Sequence, residues 1–397
     1  MGVRTTLIEI YKKLTTYDKK IGIITNGVDN LYPERVDRFI NNSVTAKTCA
    51  KIMSTYLSAK GFGKVNDKII VNSKEKTTLQ KFTTQIARSL SKQRGVFINV
   101  TYTLGYEPAS YKVLPYNSCR LGKKDDDKYN GKIGVSDDWE NKKLKEIDIT
   151  FIDVFNNNKK IVKNQIANEK GGTELEKLGN YRGQILYFNL DDEYLYALSQ
   201  VDAVLKDCDS EAQASIYKNR SLRKGFFGKT IVITKPLAGS LTDYADATEY
   251  NEALSERDNF KETIDSFIGA EDNGGVIHVE LEHDSENFDQ EIKFENIDSN
   301  IDDKIFEYTE SSVFDNILMA FNSIPSGLIR PVNTLFGQSA NAIEQMKLVY
   351  QDNTRTERNE MLELIRFLMG IFVKPVVGLE LEPLVIETQE EDDTTNK

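Results

Sequence analysis

Between residues 227 and 296 the chain carries seventeen Asp and Glu against five Lys and Arg, a net charge of −12, while all 397 residues together sum to −11. The remainder is therefore close to neutral. Charge segregated in this way is expected to form a body of its own, one that repels polyanions unless a basic partner covers it. Apolar periodicity on either side of the acidic stretch predicts long helices, so the chain reads as a small unit set into a helical frame.

The chain is long enough for two or three domains, and its 39% apolar content suffices for a sizeable core, so a folded, soluble protein is expected. No run of eighteen apolar residues offers a membrane span, and the start of the sequence has no apolar signal core. Cys49, Cys119 and Cys208 are odd in number and far apart, which argues against a disulfide framework and agrees with assembly in a reducing cytoplasm. His278 and His283 are the only histidines, too few for a multi-histidine metal site or a His-dependent triad. No metal and no cofactor is expected.

The first half predicts an α+β domain. A short helix is expected over 3–14, and a long or broken one from Tyr32 to Gly61, interrupted near Asn41, Asn42 and Ser43. Ser73 reads as the cap of a helix over 75–93 that Gly95 ends. Strands are predicted at 96–104, 111–115, 132–135, 147–155 and 184–188, in an antiparallel sheet, with 105–110 as a hairpin connection. From Leu195 a helix of about thirty residues, roughly 45 Å, is expected to reach Phe226. Its last turns hold Lys218, Arg220, Arg223 and Lys224, which suit a helix C-terminus and equally a basic ring facing DNA or a partner.

The acidic stretch predicts a strand at 229–234, a helix at 247–268, a turn at Asn273-Gly274-Gly275, a strand at 276–282 and a pairing strand at 291–294. Asp298 or Ser299 can cap a second long helix, whose apolar stripe runs from Ile301 to Phe321 and stops at Ser323-Ile324-Pro325. Residues 323–339 read as an irregular loop. A last helical stretch over 340–372, bent near Asn353, leads to a strand-like 379–386 and an acidic, disordered tail at 387–397.

In this order the elements resemble those of tailed-bacteriophage portal proteins. The run YALSQVDAVLKDCDSEAQASIYKNRSLRKGFF is similar to that family's first stem helix, and EDNGGVIHVEL to a strand of its clip. NIDDKIFEYTESSVFDNILMAFNSIPSGLI resembles the returning stem helix, and FGQSANAIEQMKLVYQDNTRTERNEMLELIRFL the long helix that follows. Nearer the start, YPERVDRFINNSVTAK resembles a segment of some portals. The order and spacing of these runs carry the likeness rather than any one of them. After Leu368 the chain is shorter than relatives that bear a large helical crown.

The resemblance implies a portal fold: an α+β wing over 1–193, a first stem helix over 194–226, an acidic α/β clip over 227–297 and a second stem helix over 298–322. A tunnel loop at 323–339 and a C-terminal helical region at 340–386 complete it. It further implies a non-enzymatic ring, a dodecamer, at one capsid vertex of the virion, assembled in the host cytoplasm. Its implied partners are other copies of itself, double-stranded DNA in transit, the large terminase, the major capsid protein and a head-tail adaptor. Ile324, Pro325, Ser326, Gly327, Leu328, Ile329, Arg330 and Asn333 would then face the channel, with Leu328 and Ile329 offering apolar contact and Arg330 a phosphate contact. Lys229, Lys235, Glu271 and Asp272 would belong to the clip.

An acidic lining suits a channel, because each phosphate that Lys or Arg neutralises tightens binding through counterion release. The rival enzyme reading is a metal-dependent nuclease using Asp125, Asp126 and Asp127 or Glu271 and Asp272, though LGKKDDDKYNGK reads more naturally as a solvated hairpin tip. Another head-tail connector ring is the second alternative. No GxxxxGK[ST] loop occurs, so a packaging ATPase would be another chain.

Overall fold

The structure is a computed structural model that describes residues 15–122, 131–141, 143–191, 193–223, 229–234, 238–267, 276–280, 292–297, 303–330 and 340–385. The helix expected at 3–14, the Asp125–Asp127 cluster, the caps Asp298 and Ser299 and the tail at 387–397 lie outside these residues. The fold is α+β, and the chain forms two compact units, Met1–Asp209 with Val313–Lys397, and Ser210–Ser312.

The first unit opens with short strands β1 (Tyr17–Asp18) and β2 (Ile23–Ile24), then helices α1 (Tyr32–Asn42), α2 (Val44–Ser58) and the single turn α3 (Gly63–Asn66). The break expected near Ser43 is present, and its cause is local. Ser43 is extended, and its hydroxyl accepts the amide of Ala46 at 2.9 Å, which starts α2 afresh. Strands β3 (Ile70–Asn72) and β4 (Thr77–Thr78) precede helix α4 (Leu79–Gln93). Here the expectation fails by one turn. Thr78, not Ser73, caps the helix by accepting Lys81 N, because residues 73–76 turn back to pair β3 with β4. Arg94, left-handed at φ 53°, ends α4. Gly95 instead opens the next strand, where a Cβ would stand 2.9 Å from the Tyr116 ring.

A six-stranded sheet follows, built from β5 (Gly95–Tyr102), β6 (Pro108–Leu114), β7 (Cys119–Leu121), β8 (Lys132–Val135), β9 (Thr150–Val154) and β10 (Gln184–Asn189), with α5 (Lys159–Ala167) and α6 (Glu174–Asn180) between the last two. Its order is β6-β5-β10-β9-β8-β7. The sheet is mixed rather than antiparallel throughout: β9 and β10 run parallel, which requires a crossover, and the two short helices supply it. Strand β5 is buried on both sides. Val96, Ile98, Val100 and Tyr102 enter the main core with α1, α2 and α4, while Phe97 joins Tyr116, Cys119, Ile133, Ile185 and Tyr196 on the opposite face. Two covered faces explain why Val96, Phe97 and Ile98 are apolar in succession.

Arg120 of β7 is fully buried, and all five of its N–H donors are engaged. Nε donates to Asn30 Oδ1 at 2.8 Å, one terminal nitrogen to the carbonyls of Asn117 and Cys119, and the other to the Asn30 carbonyl and the Glu34 carboxylate at 2.7 Å. The guanidinium also lies over the Trp139 ring. Burial pushes the Glu34 carboxyl above its usual range, and the charge of Arg120 opposes that shift.

Helix α7 (Leu205–Arg223) carries the chain from the first unit into the second. Its described part has 19 residues, about 28 Å, and it starts at Leu205 rather than at the expected Leu195, while residues 224–226 lie outside the described residues. Residues 195–204 are held otherwise: Ser199 N donates to Tyr32 Oη at 3.1 Å, Tyr32 Oη donates to Asp202 at 2.7 Å, and Tyr196 Oη donates to the Ile24 carbonyl. The second unit then forms β11 (Lys229–Thr234), α8 (Ala247–Phe267), β12 (Val276–Glu280) and β13 (Ile292–Ile297). Strand β11 is central, parallel to β12 and antiparallel to β13, so α8 is again a crossover and β13 pairs with β11 rather than β12.

Helix α9 (Asp303–Ala320) returns the chain to the first unit. Helices α10 (Ala340–Asn353) and α11 (Arg355–Gly370) follow, broken at the buried Thr354, close to the expected bend. Tyr111 of β6 donates to the Leu368 carbonyl at 2.6 Å and ties α11 to the sheet. The strand expected at 379–386 is absent from the described part of that range, 379–385. Two backbone–backbone bonds, Lys60 N to Glu382 O and Glu382 N to Gly61 O, and side-chain bonds from Arg366 and Gln351 dock it, and Pro383 has no donor to extend a ladder.

Candidate functional site

The candidate loop begins where α9 stops, and its geometry follows from how that helix is anchored. Val313, Phe314, Ile317, Leu318 and Phe321 are buried in the first unit's main core beside α1, α2 and α11. This half of the expected apolar stripe is thus used inside the chain and does not await a neighbour. Among the described residues, the exposed large apolar groups of the two long helices are Ile216, Tyr217 and Met319.

Asn322 and Ser323 then take left-handed conformations, φ 56° and 54°, and turn the chain sharply. A reciprocal amide clasp fixes the turn. Asn322 Nδ2 donates to the Asn353 carbonyl at 3.0 Å and to Glu357 Oε1 at 2.9 Å, while Asn353 Nδ2 donates to the Asn322 carbonyl at 3.1 Å. Gln200 Nε2 donates to Asn322 Oδ1 at 3.0 Å, and Tyr350 Oη to the Phe321 carbonyl. The end of α9, the α10–α11 break and the segment before α7 therefore meet at one polar joint. Sequence reasoning missed it, although two asparagines at helix ends were its visible signal.

Beyond the joint, Ile324 is buried and Pro325 starts a single tight turn at Ser326–Leu328, closed by Arg330 N donating to the Ser326 carbonyl at 2.8 Å. Leu328 and Ile329 pack against the main core, which corrects the expectation that they project as free apolar contacts. Ser326 and Arg330 remain exposed, with Gly327 half-buried. The Arg330 guanidinium sits 3.9 Å over the Phe314 ring. Such stacking engages the flat face and leaves the in-plane N–H donors directed outward, so Arg330 can still meet one anionic group. Asn333 lies outside the described residues.

Of the basic residues expected at the end of the first long helix, Lys218 is paired with Glu310 of α9, so it is not a free cation. Arg220 and Arg223 lie in α7, and Lys224 falls outside the described residues. Lys229 opens β11, whereas Lys235, Glu271 and Asp272 are outside the described residues. Cys49, Cys119 and Cys208 are buried thiols that form no disulfide, and burial pushes the Cys119 thiol up to about 12. Among the described residues no group of three or more His, Cys, Asp or Glu is placed to hold a metal, and no helix is long and apolar enough to cross a membrane.

No protein-family model and no curated protein matches the chain. Among solved structures it is similar to a chain in the neck of an empty GTA particle computed with C6 symmetry, at 10% identity and TM-score 0.49, covering 91% of this chain and 84% of that one. A chain in the neck of a native GTA particle computed with C12 symmetry matches at 12% identity and TM-score 0.45, covering 86% and 82%. A chain of the native gene transfer agent virion matches at 11% identity and TM-score 0.42, covering 83% and 88%.

Proposed function

We propose that this chain is the repeating subunit of a ring-shaped DNA channel, a portal-type component at one capsid vertex of a phage-like particle, without enzymatic activity. One observation carries the reading. A single helix, α7, leads out of the larger unit, a small acidic α/β unit follows, and a single helix, α9, leads back into the same core. That is the stem, clip and stem order that the sequence runs resemble, with the turn at 323–330 following directly, as a tunnel loop would.

The chemistry agrees with passage rather than retention. The acidic segment opposes phosphate binding, Lys218 is neutralised by Glu310, and Arg330 offers one anion contact per copy. A closed ring requires a heterologous contact repeated around an axis, and the exposed Ile216 and Tyr217 on α7 supply apolar surface for it. In this reading the partners are further copies of the chain, double-stranded DNA in transit, a large terminase, the major capsid protein and a head-tail adaptor. The packaging motor would be a separate chain.

Negative-stain imaging and mass photometry of the purified chain test the proposal. Rings of a dozen or so copies with a central hole are expected, together with feeble DNA affinity even at low salt. A monomer at every concentration, or tight and salt-sensitive retention of DNA, would remove it.

A further inference from the structure

The larger unit contains a cleft of about 510 Å³ between α1, α2, α4 and the end of β6. Its charge is opposite to that of the chain as a whole. Lys47 and Lys51 stand one turn apart on α2, Arg88 and Lys92 one turn apart on α4, and all four line the cleft. Asp37 is the single carboxylate among the lining residues, and it is already engaged by Lys92 at 3.7 Å, Asn117 Nδ2 at 2.9 Å and Gln93 Nε2 at 3.4 Å. Lys47, Lys51 and Arg88 are exposed and form no ion pair among the described residues. Like charges spaced one helical turn apart repel, so these pairs weaken their helices slightly and stability does not account for them.

Two further features narrow the occupant. The cleft is lined in part by the half-buried apolar groups Val113 and Leu114, which a purely ionic ligand would leave uncovered. Gln93 also lines it, is only 2% exposed, and has a buried Oε1 with no donor among the described residues. Its amide nitrogen is committed to the Pro33 carbonyl and Asp37, so the oxygen is fixed as an acceptor. A DNA phosphate backbone offers no donor to it, whereas a polypeptide offers an N–H at nearly every residue.

We propose that this cleft docks an acidic, amphipathic peptide segment of another protein. Carboxylates of that segment meet Lys47, Lys51 and Arg88, an apolar side chain covers Val113 and Leu114, and an N–H reaches Gln93 Oε1. The proposal concerns the larger unit alone and stands whether or not the chain forms a ring.

The test uses the full chain and a fluorescein-labelled synthetic peptide in which leucine recurs at helical spacing among glutamates, followed by fluorescence anisotropy. Saturable binding is expected. It should weaken about tenfold or more in Lys47→Glu/Lys51→Glu and in Arg88→Glu, and stay unchanged in Lys64→Glu, an exposed residue that does not line the cleft. Lys47→Gln/Lys51→Gln, with thermal melts of each variant, separates lost charge from lost folding. Absence of binding, or binding indifferent to these substitutions, overturns the proposal. So does a short DNA duplex binding the same residues in place of the peptide, which would make this a nucleic-acid surface. Peptide binding seen only after deletion of residues 386–397 would also overturn it, by making the chain's own acidic segment the occupant.

Discussion

Arg120 illustrates how much one side chain can organise. Its five donors hold Asn30, Glu34, Asn117 and Cys119, so the left-handed turn at Asn30, the first turn of α1 and the start of β7 share a single cation. Removing a buried ionic partner leaves its counter-charge unpaired and typically costs about 3–5 kcal/mol. Arg120→Ala is therefore expected to lower the unfolding free energy by roughly that amount. Urea denaturation checks it, and a loss within error of zero would show that solvent replaces the network freely. No sequence pattern pointed to Arg120, because Asn30 and Glu34 lie ninety and eighty-six residues away and converge on it only in the fold. The candidate loop was harder to read for the opposite reason. Ile324, Leu328 and Ile329 are ordinary apolar residues in an irregular stretch, and nothing in the sequence shows that the core buries Ile324 wholly and Leu328 and Ile329 in part.

Helix starts give the clearest comparison at the scale of elements. Thr78 accepts the Lys81 amide, whereas Ser73, the cap expected from the sequence, is an exposed turn residue. Thr78→Ala should cost about 1 kcal/mol and Ser73→Ala close to nothing, measured by paired thermal melts. Equal losses would reassign the helix start. The second unit was legible almost to the residue, at Lys229–Thr234, Ala247–Phe267 and Val276–Glu280, because each element carries its own period and clear turn residues separate them. The crossover helices Lys159–Ala167 and Glu174–Asn180 escaped notice because they are short and mostly polar, with little stripe to detect. Residues 195–204 have helical spacing, yet the Tyr32 hydroxyl of α1 and the bond that Tyr196 Oη donates to the Ile24 carbonyl hold them in another form. Long-range bonds of this kind outweigh a local preference worth a few tenths of a kcal/mol per residue.

Considered whole, the molecule nests one unit inside another along the chain. Residues on both sides of the insertion share one cluster, with Val204 and Cys208 before it and Val313, Ile317 and Phe321 after it. A protease site introduced beside the exposed Ser240 should yield two fragments that stay together through native size-exclusion chromatography and separate only in denaturant. Separation under native conditions would show that the cluster does not bind the two halves. The same nesting governs how the smaller unit bears tension. With no free terminus of its own, any pull upon it is divided between two tethers rooted in common ground, and neither can slacken until that shared anchorage gives way.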